Sequence, residues 1–288
     1  PSRSSLPQLS LRSSPRLPGH HADLVQQLLP HPQVDLTDGE LDEIYGWPMS
    51  GEPWLRANMV STLDGAAASP DGLSAGISSA ADRRVFGRLR GLADVILVGA
   101  GTARSEGYRP ARLKPDFSDR RANAGKSVVP AIAVVSRSLN IDLSLPLFAD
   151  PLVPTIIITC SSAHADRIEA ARTSCDVIIS GDSDVNLTDA LLQLHGRGLR
   201  HVHSEGGPRL LADLVAADLL DELLITLSPA LAGGSFAGDG EILRILQGTP
   251  NPSGLRSARL HHLLEEDSTL FASYRFHEPA KADARVTV

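Results

Sequence analysis

The chain has 288 residues, is 42% hydrophobic, and carries 27 Lys and Arg against 34 Asp and Glu for a formal net charge of −7. That length and apolar content suffice for the core of one large α/β domain, while the dispersed acidic balance offers no basic surface to a nucleic-acid backbone. No apolar run nears the ~20 residues needed to span a bilayer, and PSRSSLPQLSLRSSPRLPGHH at the N-terminus has no signal-peptide pattern, so neither nucleic acid nor membrane is an expected partner and the cytoplasm is the expected location.

Residues 1–33 are rich in Pro, Ser and Leu without a sustained period. They read as an N-terminal arm open to disorder, with residues 34–288 as a single domain. A helix is expected from Thr37, because Thr37 and Glu40 stand in capping-box spacing, and Trp47-Pro48 closes it. From Trp54 the grammar becomes regular. WLRANMVSTLDG predicts a strand entering a turn, SSAADRRVFGRLRGLA a helix with Val85, Phe86, Leu89 and Leu92 on one stripe, and DVILVG a strand covered on both faces. The alternation continues through AIAVVS, TIIIT, ADRIEAART, DVIIS, LTDALLQLHG, HVHSEGG, PRLLADLVAADL and ELLITLSPAL. Strands alternating with helices imply parallel pairing through right-handed crossovers, and RLHHLLEEDSTLFASYRF predicts a final antiparallel hairpin. The fold class is therefore α/β, a three-layer αβα arrangement around a mostly parallel sheet. The charged stretch RPARLKPDFSDRRANAGKSVVP reads as a mobile loop.

Cys160 and Cys175 are the only thiols and read as buried hydrophobes. No paired Cys/His spacing suits a structural metal, and His201/His203 on one strand face lack a third ligand, so no metal is expected. In open parallel sheets ligands collect beyond the carboxyl ends of the strands, where helix N-termini present unpaired N–H groups. Three loops qualify: VGAGTARSEG, VSRS and SEGGPRLL. Gly99-Ala100-Gly101 begins a dinucleotide fingerprint whose third glycine is missing at Arg104. Gly125-Lys126-Ser127 lacks the first glycine of a P-loop, and Ser204 lacks the leading glycine of a hydrolase elbow. In SEGGPRLL, Gly206 and Gly207 admit either a ligand backbone or a tight strand-to-helix turn, and Pro208 suits a first helical turn. Arg137, just past a strand end, reads either as a partner for a 2′-phosphate or as a solvated surface charge. Asp64 after its strand reads either as a group that anchors a heterocycle or relays a proton, or as an Asx-turn residue.

In order, NMVSTLDG, GLADVILVGAGT, VVSRS, SEGGPRLL and DLLDELLITLSPALAGG resemble the reductase domain of riboflavin biosynthesis, from about Trp54 to Phe276. The resemblance implies a dihydrofolate reductase-like fold, NADPH as cofactor, and reduction of the ribosylamino side chain of a phosphorylated aminouracil. It places NADPH against Gly99, Gly101, Thr102 and Glu106, against Gly206, Gly207, Pro208, Arg209 and Leu210, and at its 2′-phosphate end against Ser136 and Arg137. It places the substrate against Asn58, Asp64, Ser74, Arg90 and Glu205, with Asp64 and Glu205 in the catalytic roles. A homodimer through the C-terminal strands is also implied. Asn58 is the residue of stand-alone reductases in this family, and the C-x-x-C of its zinc deaminase domain is absent, so deamination is not expected. Ser105–Arg112 replaces the family's usual sugar-phosphate run, which leaves a pterin such as dihydrofolate as a competing substrate. A non-catalytic relative that binds NADPH is the reading from another class.

Overall fold

Thr37 opens the first helix reciprocally: its side-chain oxygen accepts from the Glu40 N–H while its own N–H donates to the Glu40 carboxylate at 2.8 Å. A computed structural model describes residues 25–233, 242–248 and 254–276. Its elements are β1 (Gln26–Leu29), α1 (Asp38–Ile44), β2 (Trp54–Thr62), α2 (Ala80–Leu92), β3 (Val95–Gly99), α3 (Ala100–Ser105), α4 (Pro115–Asn123), β4 (Ala131–Val135), α5 (Pro146–Ala149), β5 (Ile156–Thr159), α6 (Ala165–Arg172), β6 (Asp176–Ile179), α7 (Leu187–Gly196), β7 (His201–Ser204), α8 (Pro208–Ala216), β8 (Glu222–Ser228), β9 (Arg259–Glu266) and β10 (Thr269–Arg275).

The strands form one sheet in the order β1-β9-β10-β8-β2-β7-β3-β4-β5-β6. Pairing is parallel from β8 through β6 and antiparallel among β1, β9, β10 and β8. This is the three-layer, mostly parallel architecture expected, with the C-terminal hairpin antiparallel. Strand alternation builds both outer layers. Val95 and Leu97 pack with α7 and α8 through Leu191, Leu194, Leu211 and Leu214. Ile96 and Val98 pack on the other face with Leu147, Phe148 and Ile168. That second face continues over β8 and β10, where Val85 and Leu89 of α2 and Leu41 of α1 cover Leu224 and Phe271.

Two stretches depart from the sequence expectation. The charged loop after Arg109 contains α4, whose Phe117 is buried and whose Arg121 donates to the Gly91 and Ala93 carbonyls at the end of α2. The helix is anchored by those bonds to the end of α2 more than by an apolar stripe, so periodicity does not reveal it. The chain also joins the sheet before residue 33: β1 pairs with β9, and Val25 is fully buried against α1 and β9. Residues 1–24 of the expected arm lie outside the described residues.

One irregularity creates the functional opening. β7 pairs with β2 only from Trp54 to Ala57, while β2 continues beside β8 to Thr62. At Glu205-Gly206-Gly207 the chain leaves the sheet, with Gly206 at φ +73°, a conformation that favours glycine. β2 beyond Ala57 therefore has no strand on its β7 side, and the sheet splits at the carboxyl ends of its parallel strands.

Candidate active site

The split opens into a cavity of about 500 Å³. Asn58 and Val60 of β2 line it, facing Asp82, Arg83, Phe86 and Arg90 of α2. The spacing of those α2 residues puts them on one helical face. Thr102 and Glu106 come from α3 and its end, Tyr108, Arg109 and Arg112 from the following loop, and Glu205, Gly207 and Pro208 from the β7–α8 turn.

Glu205 is the most constrained polar group there. Arg90 Nε donates to Oε1 at 2.6 Å and Nη2 to Oε2 at 2.7 Å, a bidentate pair, and the Tyr108 hydroxyl donates to Oε2 at 2.5 Å. Burial raises the pKa of such a carboxyl, but the Arg90 charge and hydrogen bonds outweigh it and hold Glu205 below the ordinary range. Burial and the Glu205 charge push the Tyr108 phenol well above its usual value, so it keeps its proton. His203, fully buried on β7, has Nε2 3.8 Å from Glu205 Oε1. Burial holds the imidazole down to about 4, and it is neutral at ordinary pH.

On the other side of the opening, α3 and α8 begin at Gly99 and Gly207, neither with a side-chain cap. The two starts are bonded together by Gly99 N–H to the Gly206 carbonyl at 2.8 Å. Unpaired N–H groups and aligned peptide dipoles at adjacent helix starts suit an anion. A Cβ on Gly101 would meet nothing, leaving its surface open, whereas one on Gly207 would overlap Thr102 Oγ1. Gly207 is thus required by packing against α3 as well as by any ligand. Glu106 reaches across the cavity, accepting from the Ser74 N–H at 3.0 Å.

The structure gathers most of the sequence-predicted residues here. Asn58, Ser74, Arg90, Thr102, Glu106, Glu205, Gly207 and Pro208 line the cavity. Gly99, Gly101, Gly206, Arg209 and Leu210 belong to the two helix starts beside it. Ser136 is buried and Arg137 exposed just past β4, the strand next to β3. Asp64 stands outside the cavity lining. It is exposed, accepts from the Ala232 N–H at 3.1 Å, the Gly233 N–H at 2.8 Å and the Thr62 hydroxyl, and is held down to about 2, chiefly by the Thr62 bond. Sequence reasoning did not single out Asp82, Arg83, Tyr108, Arg109 or Arg112. For the last three the signal was present, because Ser105–Arg112 is the run that departs from the resembled family.

A parallel sheet split at its carboxyl end, with helices on both faces and a polar cavity at the split, defines an α/β enzyme of the kind that seats a nucleotide at a topological switch point. Residues 53–253 match the RibD C-terminal domain, and the chain belongs to that family. With that membership it is an oxidoreductase of the riboflavin-biosynthesis type.

The 2,5-diamino-6-ribosylamino-4(3H)-pyrimidinone 5′-phosphate reductase of Archaeoglobus fulgidus is 28% identical over 182 residues, covering 63% of this chain and 83% of the relative. The enzyme of the same name from Methanothermobacter thermautotrophicus is 30% identical over 192 residues, covering 66% and 85%. Among solved structures, a pyrimidine reductase-like protein of Corynebacterium diphtheriae superposes with a TM-score of 0.70 at 25% identity, covering 82% of this chain and 98% of the other.

Proposed function

We propose that the chain reduces the ribosylamino side chain of a phosphorylated 6-ribosylaminopyrimidine, with NADPH as the hydride source. The observation that carries the reading is the juxtaposition at the split: two bonded, glycine-capped helix starts on one side and the Arg90–Glu205–Tyr108 cluster on the other. The open surface at Gly101 and the uncapped starts of α3 and α8 fit a dinucleotide. Gly99, Gly101, Thr102, Gly206 and Gly207, with Pro208, Arg209 and Leu210, would hold its phosphates. Glu106 would flank it, and Ser136 with Arg137 would meet the 2′-phosphate that distinguishes NADPH from NADH. When bound, NADPH supplies a hydride to the C=N carbon of the opened ribosylamino group.

The chain's own residues bind and orient. Glu205 is ionised and fully paired, so it positions polar substrate groups and does not protonate them. Asn58 and Ser74 offer further polar contacts to the substrate. Arg83, Arg109 and Arg112 are exposed guanidinium groups in the cavity lining and suit the sugar phosphate. These arginines supply, from a different run, the charge that the family's usual segment provides. Asp64 is assigned to tethering the 230–233 segment to the end of β2, a role that its three hydrogen bonds support. The cytoplasm is the location read from the sequence and a homodimer the assembly that the family resemblance implies; no helix among the described residues is long and apolar enough to cross a membrane.

The test is NADPH oxidation with the phosphoribosylaminopyrimidine, in its 2-amino and 2-oxo forms, and with dihydrofolate in parallel. Turnover of a pyrimidine, faster than of dihydrofolate, is the expected result; turnover of dihydrofolate alone would replace the substrate, and turnover of none would remove the reductase reading.

A further inference from the structure

The run after α3 looks like a surface connection, since Ser105, Arg109 and Arg112 are exposed. Two of its side chains nevertheless reach opposite walls of the cavity. Gly107, at φ +62°, turns the chain between them. On one side Glu106 accepts from the Ser74 N–H at 3.0 Å, and on the other the Tyr108 hydroxyl donates to Glu205 Oε2 at 2.5 Å. Tyr108 is itself anchored. Its N–H donates to the Ala103 carbonyl at 2.9 Å, and its ring packs on the apolar layer that holds Ala103 and Ala111. The Arg90 guanidinium lies 5.3 Å from that ring. Arg90 brings charge to Glu205 at the end of a long side chain of many rotamers, 24% of it exposed. The phenol has few rotamers and a fixed base, so of the two partners it is Tyr108 that ties the carboxylate to the framework.

We propose that Tyr108 is a positioning residue for the reduction: its hydroxyl locks the Glu205 carboxylate, already paired with Arg90, in the orientation that receives the polar groups of the substrate. This role rests on the pyrimidine reductase reading and gives the 105–112 run a part in the reaction besides contact with the sugar phosphate. Tyr108 keeps its proton, so it remains a donor to Glu205 across the ordinary pH range. The groups that face Glu205 are Arg90 from α2, Tyr108 from the run after α3, and His203 from β7 with Nε2 3.8 Å away. Burial favours the neutral carboxyl, while Arg90, His203 and the Tyr108 hydrogen bond favour the carboxylate. Removing the hydroxyl deletes one of those opposing contributions, so Glu205 takes up its proton at a higher pH.

The experiment uses Tyr108→Phe in the full chain, which keeps the ring and its place beside Arg90 and deletes only the hydroxyl. With the phosphoribosylaminopyrimidine that the wild type turns over, kcat/KM is expected to fall roughly tenfold or more, the worth of one charge-assisted hydrogen bond. The loss should lie in kcat, with NADPH affinity unchanged, because orientation and not cofactor binding is lost. Carbon-13 NMR of the Glu side-chain carboxyls supplies a second readout, the Glu205 resonance being identified by its loss in Glu205→Gln. Its titration midpoint is expected at higher pH in Tyr108→Phe than in the wild type, and a midpoint does not depend on the fraction of protein folded. Wild-type kcat in Tyr108→Phe, or an unchanged Glu205 midpoint, would overturn the assignment, since packing of the ring alone predicts both. The titration needs no turnover: a raised midpoint in a chain that reduces neither pyrimidine would remove the reductase reading while retaining the hold of Tyr108 on Glu205.

Discussion

The two carboxylates expected from sequence to act in the reaction, Asp64 and Glu205, have opposite surroundings. Glu205 is buried under a bidentate arginine and a tyrosine, while Asp64 is exposed and occupied by backbone N–H groups and a threonine. Glu205→Gln would leave Arg90 facing a neutral amide in a desolvated site, and removing one partner of such a pair exposes the other's full desolvation cost. That variant is expected to lose roughly a hundredfold in kcat/KM while NADPH affinity changes little. Asp64→Asn should lose less than about tenfold, since Asn retains one acceptor in such a turn. Kinetics and cofactor titration on both variants check the contrast; a larger loss at Asp64 than at Glu205 would reverse the assignment of roles. SEGGPRLL made Glu205 and the helix start legible, because an acid and two glycines between a strand and a helix are unusual in a simple turn. Asp82 was not legible: within DRRVFGRLR it reads as one more charged residue of an amphipathic helix. Its setting depends on Thr226, 144 positions away.

At the scale of elements, β3, β4 and β5 were legible because strands covered on both faces are continuous apolar runs. β1 was not, since QQLL has no alternation and acquires its strand character from pairing with β9, more than two hundred residues distant. From sequence, residues 1–33 read as an arm open to disorder, whereas Val25 is buried and β1 pairs with β9. A chain beginning at Val34 exposes the β9 edge and loses the Val25 contact, worth about 1.5–3 kcal/mol by burial alone. Its melting temperature should fall by several degrees, with more aggregation at equal concentration. Thermal unfolding and light scattering on the shortened chain check this, and an unchanged melting temperature would show that β1 contributes nothing to the fold.

Among the described residues the fold disfavours the charged forms of four histidines, three of them strongly. Burial is the leading cause at each: His203 and His201 are held down to about 4 and His262 to about 3. All three are neutral when folded, yet in the unfolded chain they take up protons below about pH 6.5. The unfolded state then binds more protons than the native one, so stability is complete above about pH 6.5 and declines as pH falls toward 4. Glu222 adds to the loss at lower pH: burial opposes its charge, but Arg56 and its other partners hold it down to about 2, so its contribution is present above the ordinary carboxyl value near 4.5 and is lost below it. Urea unfolding at about pH 7 and about pH 5 should give a lower free energy at the acid value, and His203→Leu should flatten part of the slope. Equal stabilities at the two values would contradict the burial of these groups.

The central claim, that a hydride passes from the cofactor to the ribosylamino carbon across the split in the sheet, is tested most directly by isotope transfer. The chain is incubated with NADPH carrying deuterium at nicotinamide C4, prepared separately in each of its two stereochemical forms, and with the phosphoribosylaminopyrimidine. The product is then read by mass spectrometry. The account predicts one deuterium on the former C1′ of the sugar from one form of the cofactor and none from the other, because a single bound geometry presents one face of the ring. Product free of deuterium with both forms, or labelled equally from both, would contradict it.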